Sequence, residues 1–137
     1  MQITSLFRTI LLSGLALSLI SIIAGFSLVD TLPTILQSYL SQEEASDTES
    51  NLYILALLGL LALLIVSIVG LWKFKPWART LYVGILIIIV PISPTFGPVV
   101  MNGWEAMFSD LSFMLDGVLI AMMFSGEISK KFAVQAK

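Results

Sequence analysis

Leu71-Trp72-Lys73-Phe74-Lys75-Pro76-Trp77-Ala78-Arg79 stands between two long apolar runs, and its make-up decides how the chain threads. Trp rings suit the headgroup depth of a bilayer, and Lys or Arg just beyond them stay on the cytoplasmic side. Pro76 fits the first turn of a following helix, where its missing N–H costs little. The stretch reads as a short cytoplasmic turn joining two membrane helices. Trp72, Lys73, Lys75, Trp77 and Arg79 are then candidate contacts for anionic lipid headgroups.

Working outward, the remaining basic residues are Arg8, Lys130, Lys131 and Lys137. All lie beside apolar runs, and the segments 30–51 and 91–103 hold none. Four runs with flanks that are basic, acidic, basic, neutral and basic permit one consistent threading. The expected fold is an all-α integral membrane protein, a four-transmembrane-helix bundle with both termini inside. Its spans are expected at about residues 6–29, 52–72, 77–96 and 104–125, within a single membrane domain covering 1–137.

Composition agrees. The chain is 58% hydrophobic and only 12% charged, about half the charge of a soluble domain. Function must therefore sit among the helices or at their two faces. The net charge of −2 conceals a basic inner side and an acidic outer side. No extended basic surface offers itself to nucleic acid. The chain has neither Cys nor His, so disulfides, thiol catalysis, Cys/His metal sites and imidazole acid–base chemistry are excluded. No cofactor is expected. The run from Ile10 to Val29 exceeds the roughly 7–15 residues of a signal-peptide core, so it is expected to stay as the first span.

Within that span Gly14, Ser18, Ser21 and Gly25 recur at spacings of four, three and four, which makes one small-residue face. Such faces let helices approach closely in lipid. The partner is expected to be another helix of the same chain, with a homo-oligomer seam as the alternative. Beyond the span, Leu32, Ile35, Leu36, Tyr39 and Leu40 share one side of a helical wheel. A short amphipathic helix over about 31–41 is expected at the outer interface, capped by Asp30 or Thr31. The acidic link around Glu43, Glu44, Asp47 and Glu49 follows it.

Span three carries Pro91, which cannot donate to the Ile87 carbonyl. Ser93 and Thr95 are the expected compensating hydroxyls, with a kink as the result. Span four alone holds acids within its apolar run, Asp110 and Asp116. Counted from Trp104, Asp116 lies about 18 Å deep at 1.5 Å per residue, near mid-membrane. Six positions separate the acids, so they point apart. Ser109, Ser112 and Asp116 share one face; Asp110 lies on another. Intramembrane acids face the protein interior and raise a functional hypothesis. Depth counting nominates Ser13 and Ser18 as hydroxyl partners of Asp116.

Two stretches carry a resemblance. Lys75-Pro76-Trp77-Ala78-Arg79 is one, and Leu115-Asp116-Gly117-Val118-Leu119 with Phe124-Ser125 and Phe132 is the other. Together, over the second half of the chain, they resemble small uncharacterised four-span inner-membrane proteins of bacteria. The resemblance implies a bacterial inner-membrane setting and no particular activity.

The expected function is that of a non-enzymatic membrane protein working by association with itself, a larger membrane complex or lipid. The alternative is a small transporter or channel subunit with Asp116, and Asp110, as proton or cation site. A lipid-modifying enzyme would have to rely on Glu105 and Asp110, which is the weakest of the three.

Overall fold

The computed structural model describes residues 3–39, 51–96 and 99–134, and among them every regular element is helical. Helix α1 spans Ile3–Ser27 and ends in a 3-10 turn at Val29–Thr31. A short helix α2 covers 34–39. Then come α3 (Asn51–Trp72), α4 (Pro76–Ile92), α5 (Gly103–Phe124) and α6 (Gly126–Val134). Helices α1 and α5 are each long and apolar enough to cross a membrane. The acidic link at 41–50 and Leu40 lie outside the described residues.

The helices form two antiparallel pairs. Helix α1 packs along α5, and α3 packs on α4. Direct contact between the pairs is sparse. The small-residue face of α1 explains the first pair. Ser18 and Ser112 hydroxyls lie 2.7 Å apart, and Ser21 Oγ donates to the Glu105 carbonyl at 3.0 Å. A Cβ on Gly25 would stand 2.8 Å from Glu105 Oε1. The whole face Gly14, Ser18, Ser21 and Gly25 is thus turned to α5 of its own chain.

The α3–α4 turn is closed by backbone geometry. Lys75 N–H donates to the Gly70 carbonyl at 2.9 Å and Phe74 N–H to Leu71 at 3.0 Å. This is a Schellman ending, whose left-handed position is usually glycine. Here Phe74 occupies it, with φ of 55°, at a cost of roughly 1–2 kcal/mol. The ring repays that cost by packing. Phe7, Phe74 and Phe132 form a triad with centroid separations of 5.5, 6.1 and 5.4 Å. Leu71, Ala78, Met123 and Ile128 complete this core. It ties the start of α1, the α3–α4 turn and α6 together at one end of the molecule.

Helix α6 was not foreseen from the sequence. Ser125 leaves α5 in extended conformation, and Gly126 takes φ of 66°, turning the chain back. Ile128 and Phe132, four apart, then become fully buried. Pro91 sits inside α4, which tightens into a 3-10 turn at Ser93–Phe96. Ser93 Oγ donates to the Val90 carbonyl at 3.0 Å, one turn later than the expected Ile87. The outer helix begins at 34 rather than at the expected 31, and its expected end at 41 lies outside the described residues. Thr31 Oγ1 donates back to the Leu28 carbonyl at 2.6 Å instead of capping, and Pro33 supplies the first helical acceptor.

At the opposite end Asn102 and Glu105 form a capping box for α5. Glu105 N–H donates to Asn102 Oδ1 at 2.9 Å, and Asn102 N–H to Glu105 Oε2 at 3.3 Å. Asn102, 3% exposed, also donates from Nδ2 to the Ala24 carbonyl of α1 at 3.0 Å. Replacing Asn102 by alanine should cost about 1–2 kcal/mol, read as a lower thermal midpoint. Asn102→Asp keeps the cap acceptor but sets a buried carboxylate oxygen against the Ala24 carbonyl and Glu105 Oε2, so its loss should be at least as large.

Candidate functional site

Because the two helix pairs touch so little, a cavity of about 570 Å³ opens between them. Leu15, Leu19 and Ile22 of α1 line one side, and Leu61, Leu64 and Ile65 of α3 face them. Most of these side chains are also exposed on the outer surface, so the cavity opens sideways between α1 and α3. Such a size falls among ordinary small-molecule sites, roughly 300–1,000 Å³.

Its polar groups gather on α1, α4 and α5. Tyr82 of α4 donates its hydroxyl to Asp116 Oδ1 of α5 at 2.6 Å. This bond joins the two helix pairs across their sparse seam. Tyr82 is buried and Asp116 half-buried, and both border the cavity. Asp116 Oδ2 has no hydrogen-bond partner among the described residues, yet it is not fully buried. Ser18 also lines the cavity, with its hydroxyl committed to Ser112 Oγ and the Gly14 carbonyl. Ser112, buried, reaches that same carbonyl at 3.1 Å.

The nominated residues therefore separate. Asp116 and Ser18 meet at the cavity. Ser112 stands behind Ser18 as a packing bond. Ser13 is exposed and, among the described residues, neither lines the cavity nor hydrogen-bonds to Asp116. The expected Ser13 and Ser18 partnership with Asp116 gives way to Tyr82. Asp110 is exposed and does not turn inward, so it does not join Asp116 in one site. Ser109 is half-buried.

Tyr82 was missed because a lone tyrosine in an apolar run reads as packing. Its depth was the available signal. Tyr82 lies six positions from the start of α4 and Asp116 eight from the end of α5. In antiparallel helices those offsets put them at similar levels.

The cationic end forms a second surface. Arg8 lies 4.9 Å from the centre of the Trp72 ring and donates to the Trp72 carbonyl at 3.4 Å. Arg79 stands over Phe124 at 5.4 Å, and Lys131 over Phe74 at 6.0 Å. Lys73, Lys75 and Trp77 are exposed beside them. No family model, curated protein or solved structure matches the chain.

Proposed function

We propose that this chain is a four-span protein of a bacterial inner membrane, with both termini in the cytoplasm, and that it works by association rather than catalysis. One observation carries the reading. Arg8, Lys73, Lys75, Arg79 and Lys131, drawn from α1, the α3–α4 turn, α4 and α6, gather around one aromatic cluster at one end. Asp30 and Glu105 lie toward the other. A basic end facing the cytoplasm is the pattern that orients membrane helices. Exposed Leu, Ile and Phe along α1, α3 and α5 suit lipid contact.

On this reading the association is first with lipid. Cations held over rings near Trp72 and Trp77 present charge at headgroup level, where each Lys or Arg contributes about 1 kcal/mol toward anionic lipid. Association with itself or with a larger complex would use the exposed faces. The alternative, a transporter or channel subunit, draws support from the placement of Asp116 beside the cavity.

Reporter fusions after Gln42 and after Lys137 test the topology. The first should report outside and the second inside. Both on one side would sink the four-span reading. Uptake into proteoliposomes separates transport from association: pH-driven flux lost in Asp116→Asn would favour transport.

A further inference from the structure

We infer that the cavity between α1 and α3 binds a lipophilic ammonium: an amphiphile with an apolar chain and a cationic amine head seated on Asp116. The inference rests on the membrane reading above, which makes the sideways opening face lipid.

The lining supplies the first argument. Leu15, Leu19, Leu61, Leu64 and Ile65 offer only hydrocarbon. Apolar cavities stay dry and take up apolar molecules. A ligand arriving through lipid enters between α1 and α3 without crossing the headgroups.

The second argument is charge complementarity. Among the described residues, Asp116 is the one acid on the cavity wall, and no Lys or Arg lines it. Arg79, the cation on α4 one turn nearer its start, is turned to Phe124 and Phe132. A carboxylate left without a cation in low dielectric is costly. An ammonium supplies both a charge and N–H donors. Tyr82 occupies Oδ1 and orients the carboxyl group, so Oδ2 remains as the acceptor. A bond from charged donor to charged acceptor is about twice as strong as one between neutral groups. That difference makes the head amine preferable to alcohol on the same chain.

The experiment compares dodecylammonium with dodecanol. The full chain is placed in nanodiscs of zwitterionic phosphatidylcholine, and radiolabelled probe is measured at equilibrium against empty discs. Saturable binding of the ammonium, at least tenfold tighter than the alcohol, is the expected result. Asp116→Asn, close to isosteric, should remove that preference. Leu64→Trp should fill the cavity and weaken both probes. Equal binding of the two probes would overturn the inference and leave an unselective apolar crevice. So would no saturable binding, or an Asp116→Asn protein that keeps the preference. If a variant fails to fold, the wild-type comparison of the two probes decides alone. Topology reporters are independent of this result, so failure of the cavity and failure of the four-span reading remain distinguishable.

Discussion

Gly70→Ala is expected to destabilise the α3–α4 pair by roughly 1–3 kcal/mol, the usual range for an overpacked contact. The added Cβ would stand 2.5 Å from the Cβ of Ala78. Ala78 is fully buried and has no flexible end that can swing aside. The helices must therefore move apart, and the Schellman bond from Lys75 to the Gly70 carbonyl would stretch with them. Trp77 also lies within 2.9 Å of the new atom, but an exposed indole can turn away. The test is a double-mutant cycle. Ala78→Gly added to Gly70→Ala should recover much of the loss, because one methyl then replaces the other across the same gap. Additive losses would show that the two positions do not meet. Gly25→Ala is the instructive contrast. There the blocked atoms are the carboxylate end of Glu105, which can shift, so only the side-chain half of the capping box is at stake.

Phe132→Ala should have the larger effect, about 3–5 kcal/mol. The ring is fully buried and meets both Phe7 and Phe74 edge-on. Such pairs add about 0.5–1.5 kcal/mol each beyond burial. Removing it also takes one ring from beneath the Arg79 guanidinium. Without Phe132, α6 keeps Ile128 as its one buried anchor among the described side chains and should detach from the end of the molecule. Trypsin cleavage at Lys130 and Lys131 reads this directly and should accelerate at least tenfold, with α1, α3, α4 and α5 still protected. Phe132→Leu keeps hydrocarbon in the site and should fall between. An unchanged cleavage rate in Phe132→Ala would show that α6 is held elsewhere.

Much of the secondary structure was legible because it is local. The apolar runs, Pro76 at a helix start and the acids within the last run all follow from order along the chain. The small-residue face of α1 was legible as a packing face, though its partner α5 was not. Contacts between helices need register, which depth counting gives only to within about a turn. That is why Ser18 was offered to Asp116 but bonds to Ser112, and why Tyr82 escaped notice. Two further signals were present and unread. Asn102 and Glu105 have the spacing of a capping box. Ile128 and Phe132 have the spacing of an amphipathic helix, interrupted from α5 by a glycine. The cavity could not be read at all, since it is the space left between two pairs rather than a property of any segment.

The left-handed Phe74 also bears on the order in which the protein is made. Its unfavourable backbone angle is offset only when Phe7 and Phe132 close around the ring, and Phe132 belongs to α6, which leaves the ribosome after α1, α3, α4 and α5. At about 5–20 residues per second, α1, α3, α4 and α5 are all synthesised before the triad can exist. On the proposed membrane reading, insertion and final locking are therefore separate events. On the proposed four-span reading, a nascent chain arrested at Ser125 should already be inserted, with the turn at Trp72–Lys75 still unlatched and open to proteolysis. Completion of the nine residues of α6 then brings Phe132 to the turn and closes the latch around Phe74.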